Sequence, residues 1–451
     1  MRIIQLVHSF PPYTVAGTEV YTYELSQELQ KRHKVFIFFR INDQKKKEYE
    51  IVSGNIDNLE IYAINNTFRR CDSFESTYNN FHITDKFAQL LDRIQPDIIH
   101  IQHLLFLSIS IIKEAKKRKI PIVFTLNDYW LMCHMGQLLR RDGSLCELPM
   151  EEICSECLIT QLSIKNNSMA VYQFLRKWVS NIFLQLLKNA YLFYAKVAFL
   201  NKNEQLTQIR KRISSIKEVN GLVDVFIAPS NFIKERFIKF GFSEERIKVL
   251  PYGLDMRNFK DIAKTLSDKI RFGYIGTLLP PKGVDILIKA FNNINADMAE
   301  LKIYGRLLPY AGYENYPAYL KNLARNKGIV FMGGFKNSDI GKILSGIDVL
   351  IIPSIWYENA PFVIQEAFKA MVPVIAADIG GIPEFVKDGV NGLLFKSGDV
   401  NDLRARIEYI INNPNIMEEF RKNMPDVKSI EENSKEIERI YVELTGKPKC
   451  F

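Results

Sequence analysis

The sequence predicts an α/β protein made of two successive units, each a parallel sheet covered by helices on both faces. Three observations point there. Short apolar runs recur along the chain, and segments with helical spacing separate them. The runs are apolar throughout rather than alternating, as in strands buried on both faces. The pattern starts twice, at Ile3 and at Arg271, on either side of Pro251-Tyr252-Gly253. A chain of 451 residues is also too long for one core.

The first unit opens with strand Ile3–Val7, a loop His8–Gly17 and a helix from Thr18 or Glu19 towards Arg32. Strands Val35–Phe39, Asp97–Ile101, Ile122–Thr125 and Val225–Ala228 follow. Ser230 caps a helix Asn231–Phe240. Strand Ile247–Leu250 then leads into Pro251–Gly253, read as an inter-domain hinge. The second unit has strands Arg271–Ile275, Glu300–Tyr304, Ile329–Met332, Val349–Ile352 and Val372–Ala376. A charged amphipathic helix from Ser429 to Leu444 closes the chain. The predicted domains are 1–253, 254–428 and a terminal helix 429–451 that packs back towards the first domain. Residues from about 133 to 220 fit neither pattern and read as an insertion.

Composition is that of a soluble enzyme, with 47% apolar and 25% charged residues. The net charge of +9 is uneven. Residues 1–255 hold 34 Lys and Arg against 27 Asp and Glu, and residues 256–451 hold 26 against 24. A basic first half suits an anionic membrane surface or an anionic acceptor. No nucleic-acid motif appears. The start MRIIQLVHSF reads as a strand, not as a leader. A cytoplasmic location is expected, with contact to the inner face of a membrane. The apolar stretch 178–200 is broken by Asn181, Gln185, Lys188, Asn189 and Lys196, so it reads as an amphipathic helix rather than a span.

The segment 358–381, ENAPFVIQEAFKAMVPVIAADIGG, is the most informative about chemistry. Glu358 and Glu366 are eight apart. Asn359, Ala360 and Pro361 open a helix, and Gly380-Gly381 turn after a buried strand. A strand-end crevice beside a helix N-terminus binds anions. Two carboxylates flank it, and carboxylates are good partners for sugar and ribose hydroxyls. This is a candidate nucleotide-sugar site.

The Glu-x7-Glu pair, followed by Ala367, Ala370, Pro373 to Ala376, and then Gly380, Gly381 and Glu384, resembles the retaining family 4 glycosyltransferases. The resemblance runs over nearly the whole chain and is densest in residues 225–400. It implies the GT-B fold, in which two Rossmann-like domains face each other across a cleft. The first would bind acceptor and the second the nucleotide sugar. It further implies that Glu366 binds the donor ribose, that Glu358 contacts the transferred sugar, and that the amides from Asn359 through Ala360 and Pro361 to Phe362 cradle pyrophosphate or sugar. Lys282, just after a strand, Gly276 and a turn, would neutralise the leaving diphosphate. The family often has Arg after that glycine; Thr277 stands here, so either Lys282 acts alone or Arg306 takes part. Gly17 and Thr18, after strand one, match a small-residue loop near the donor phosphates. A dinucleotide fingerprint is absent there, which counts against a dehydrogenase.

The family places a histidine near the end of strand Asp97–Ile101. Gln102 occupies the usual position, leaving His103 first and His100 second as candidates. Asp128 and Tyr129, after Asn127, are candidate acceptor ligands. The resemblance implies no metal or other cofactor in catalysis, a UDP-sugar donor with GDP next, and a glycan or lipid-linked acceptor. Separately, Cys133, Cys146, Cys154 and Cys157 form a C-x12-C-x7-C-x2-C pattern that could hold a structural zinc. Two rivals stay open: a sugar-nucleotide epimerase of the same architecture, and a non-catalytic partner subunit of a transferase.

Overall fold

The computed structural model describes residues 1–70, 73–140, 142–165, 202–260, 262–306 and 315–447. The first sheet contains β1 (Arg2–Val7), β2 (Lys34–Ile41), β3 (Ile51–Ile56), β4 (Leu59–Asn65), β5 (Ile98–Ile101), β6 (Ile122–Thr125), β7 (Val225–Ala228) and β8 (Ile247–Val249), in the order β3-β4-β2-β1-β5-β6-β7-β8. All its pairs are parallel except β3 with β4. The second sheet contains β9 (Ile270–Ile275), β10 (Ala299–Tyr304), β11 (Ile329–Gly333), β12 (Val349–Ile352), β13 (Val374–Asp378) and β14 (Gly392–Lys396). Its order is β11-β10-β9-β12-β13-β14, parallel throughout.

The central strands are buried along their length because both faces carry helices: β5, β6, β7 and β12 expose no residue. The β3–β4 hairpin lies outside the sequence reading. β3 is an edge strand with its middle exposed, so it lacks an apolar run. Asp57 and Asn58 turn the hairpin at φ 46° and 66°, the left-handed geometry such turns need.

The terminal helix Ile430–Thr445 starts with a reciprocal cap between Ser429 and Glu432. It lies on the helix Gly17–Leu29, where the Tyr21 hydroxyl donates to Asn433 Oδ1 at 2.8 Å. The chain crosses between domains twice, and the two crossings run side by side. Leu254 N donates to Lys428 O at 2.9 Å and Ile430 N to Leu254 O at 2.8 Å. Within the insertion, helices Glu151–Lys165 and Lys202–Asn220 pack together. The apolar stretch 178–200 lies outside the described residues. Among those described, no helix is long and apolar enough to cross a membrane.

Candidate functional site

The carboxyl ends of β9, β12 and β13 meet the first domain at the segment around Glu358. Glycine makes this packing possible. Gly283 sits at φ 67°, and a Cβ there would lie 1.9 Å from Pro353 O. Gly380, at φ 64°, runs so close to the Glu358 backbone that a Cβ would sit 2.3 Å from its carbonyl.

Glu358 is 6% exposed. Its Oε1 accepts from Lys282 Nζ at 2.7 Å, Ser354 Oγ at 2.6 Å and Trp356 Nε1 at 2.8 Å. Lys282 also lies 5.0 Å from the centre of the Trp356 ring. The ammonium and the carboxylate are thus fixed together at the mouth of the C-terminal sheet. Ser354 and Trp356 belong to this cluster but were not among the residues expected from sequence.

Glu366 differs. It lies in the helix Phe362–Lys369, whose N-terminus at Pro361 has no side-chain cap. The carboxyl is densely enclosed by protein yet keeps a partly open face, and it makes no hydrogen bond or ion pair among the described residues. Burial pushes it up to about 7. Nearby, burial and then the charges of Asp255 and Glu366 push Glu24 up to about 8.

Asn359 does not open towards a ligand through its side chain. Its Oδ1 accepts from Ser230 Oγ at 2.7 Å, and its Nδ2 donates to Leu126 O at 3.0 Å, so it joins the domains. Ala360 is buried in the core that the two domains share. Phe362 stacks on Tyr252 of the hinge, with centroids 4.4 Å apart. Glu384 completes the clasp: its carboxylate accepts from Asn231 N at 2.8 Å and Phe232 N at 2.5 Å, at the start of the helix Asn231–Lys239 in the first domain.

Gly276 and Thr277 lie at the end of β9, where the Thr277 carbonyl accepts from the Tyr274 hydroxyl at 2.9 Å. Arg306 is exposed beside that loop and accepts from Leu278 N through its carbonyl at 3.3 Å. On the opposite wall, Gly17 is exposed and close enough to the helix Phe362–Lys369 that a Cβ would meet Phe362 at 3.4 Å. Thr18 follows in the first turn of its helix.

The two candidate histidines separate. His100 is not brought into the cleft. It is 0% exposed, with Nδ1 hydrogen-bonded to the Tyr441 hydroxyl at 2.6 Å and Nε2 to Thr125 Oγ1 at 2.7 Å. Burial lowers its pKa to about 3, so it stays neutral beneath the terminal helix. His103 lies beyond the strand. Leu105 N donates to its Nδ1 at 2.9 Å, so its proton is on Nε2, which donates to Asp128 Oδ2 at 2.8 Å. Asp128 also accepts from Trp130 N at 2.8 Å and remains 30% exposed, so it can still receive a hydroxyl. Tyr129 is 1% exposed and its hydroxyl has no partner among the described residues. As placed, it does not line an open surface.

The cleft wall next to His103 holds a pair the sequence reading did not single out. His8 Nε2 lies 3.3 Å from Glu19 Oε1, and the His8 ring stands 4.6 Å from that of His103. Burial alone would push the Glu19 carboxyl up; the hydrogen bond and charge of His8 outweigh it and hold it below its ordinary value.

The four cysteines are free thiols, with Cys133, Cys146 and Cys154 buried and Cys157 partly so. Burial, then the nearby Cys133, Cys146 and Cys157, push the Cys154 thiol up to about 12. Among the described residues, no group of three or more His, Cys, Asp or Glu stands where it could hold a metal ion. Cys133, Cys146 and Cys154 lie in the core around the insertion.

Two parallel-sheet domains, joined by a double crossing with this polar cluster between them, define the GT-B class of glycosyltransferases. Family comparison agrees domain by domain. Residues 255–427 match the family described as Glycosyl transferases group 1, and residues 15–150 the one described as Glycosyltransferase Family 4. An uncharacterised 42.6 kDa protein in the cps region of Klebsiella pneumoniae is 24% identical over 85% of this chain and 87% of its own length. An uncharacterised glycosyltransferase of Methanocaldococcus jannaschii is 33% identical over 37% of this chain and 43% of its own. Among solved structures, Anabaena HepE in complex with UDP and glucose superposes with a TM-score of 0.65 at 17% identity, covering 98% of this chain and 99% of that one.

Proposed function

We propose that this glycosyltransferase moves a sugar from a nucleotide diphosphate sugar, UDP in preference to GDP, to an acceptor hydroxyl with retention at the anomeric carbon. The observation that carries the reading is Glu366. An enclosed carboxyl without a protein partner, pushed up to about 7 by burial, is costly in the free protein. A ribose diol would supply its missing donors. The uncapped start of the same helix suits the diphosphate. The Lys282–Glu358 pair would meet the transferred sugar and the departing phosphate. Asp128, held by His103, would orient the acceptor hydroxyl.

UDP is favoured by the HepE complexes with UDP, glucose and UDP-glucose. The relative in a cps region supports a role in cell-surface glycan or lipid-linked saccharide synthesis. The basic first half suits action at the inner face of a membrane. The test of retention is proton NMR of the sugar first released when the enzyme slowly hydrolyses a UDP-α-sugar without acceptor. An α-anomer appearing before mutarotation supports the reading; a β-anomer contradicts it.

A further inference from the structure

Of the cations placed at the donor site, Arg306 is exposed beside the β9 loop. Lys282 is already committed to Glu358 at 2.7 Å, and Thr277 stands where the resemblance anticipates an arginine. The opposite wall offers a further group, among the described residues, that can add positive charge. His8 follows the carboxyl end of β1, and the loop after it leads to Gly17, which abuts Phe362 at the start of the donor helix. Glu19, in the first turn of the helix Gly17–Leu29, holds His8 through Nε2 at 3.3 Å.

The other nitrogen of His8, Nδ1, is enclosed and has no partner among the described residues. An unmet ring nitrogen costs stability unless a ligand meets it. The side chain as a whole keeps 22% of its surface open, which leaves room for the ring to turn. The charged or titratable groups facing it are Glu19 from its helix and His103 from the loop after β5, and His103 is itself bonded to Asp128 from the loop after β6. Both ring nitrogens of His103 have partners, in the Leu105 amide and Asp128, so of the two rings His8 is the one with a nitrogen to spare among the described residues.

We infer that His8, oriented by Glu19, is the contact the N-terminal domain makes to the donor diphosphate. As an imidazolium it donates Nε2–H to Glu19 and Nδ1–H to a phosphate oxygen. No bond is made or broken at His8; one proton is taken up when the diphosphate binds and is held while negative charge grows on the leaving phosphate. This rests on the donor-site reading of the cleft.

Calorimetric titration of the full chain with UDP and with uridine, at pH 6.5 and 8.0 and in buffers of different ionisation enthalpy, tests it. The wild type should take up a proton with UDP and not with uridine. His8→Asn should bind UDP about ten-fold more weakly at pH 6.5, lose that uptake and bind uridine unchanged. Glu19→Gln, which keeps the ring but removes its charge partner, should weaken UDP less and move the proton uptake to lower pH. His8→Asn binding UDP like wild type, with the same uptake, would overturn the inference and leave the donor site standing. A wild type that binds uridine and UDP equally would also overturn it. A wild type that binds no nucleotide would sink the donor-site reading itself. Thermal melts identify a variant that fails to fold, and Glu19→Gln then decides.

Discussion

Two glutamates in one motif, eight residues apart, have opposite environments. Glu358 is saturated by Lys282, Ser354 and Trp356, while Glu366 has only its enclosure. Their substitutions should therefore differ. Lys282→Ala leaves the buried Glu358 carboxylate uncompensated and removes the cation nearest the leaving group. It should lower kcat/KM about 10²-fold in a donor-turnover assay, with kcat carrying most of the loss. Glu366→Gln should act on the nucleoside. If ionised Glu366 accepts the ribose hydroxyls, uridine affinity rises between pH 6 and 8 in wild type and is weak and flat in the variant. The same raised carboxyl has a stability consequence. Its folded pKa lies above the unfolded value, so the native state binds the extra proton and stability falls as pH rises from about 4.5 to 7. Melting curves across that range should slope less for Glu366→Gln than for wild type; equal slopes would mean that the carboxyl is not buried as described. Both glutamates are visible in the sequence, but their difference is not, because it depends on Ser354 and Trp356 turning back onto one oxygen. Likewise, His8 and Glu19 are eleven residues apart across a loop, and nothing in their spacing announces a pair.

Elements decide which candidate histidine faces the cleft. His100 lies inside β5, and the terminal helix covers it through Tyr441. Tyr441→Phe would leave a buried ring nitrogen and Gln5 without their partner. It should cost about 1–3 kcal/mol in denaturant unfolding while kcat stays close to wild type. A large loss of kcat without loss of stability would return His100 to the chemistry. The Glu384 cap is an element-scale contact of another kind, since a carboxylate of one domain satisfies the first amides of a helix in the other. Glu384→Ala should cost about 1 kcal/mol of stability and raise donor KM by weakening the clasp, read by scattering as a larger radius of gyration. Strands were legible where burial on both faces leaves an apolar run. Ile122–Thr125, Val225–Ala228 and Val349–Ile352 are found with the bounds the sequence suggests. β3, β4 and β14 escaped, β3 because its polar middle faces solvent at the sheet edge.

At the scale of the molecule, the contacts between the domains include the Asn359 bridge, the Tyr252–Phe362 stack and the Glu384 cap. Each of these three uses a residue of the segment from Asn359 to Glu384. The segment whose backbone amides are expected to cradle ligand thus uses the side chains of Asn359 and Phe362 at the domain interface. The central claim is that this segment binds a nucleotide sugar through Glu366. Its most direct test is titration of purified full chain with UDP-, GDP- and ADP-sugars beside Glu366→Ala. Micromolar binding of one donor, lost in the variant while its melting temperature holds, is the result expected. Donor binding undiminished in Glu366→Ala, or no binding by wild type, would contradict it.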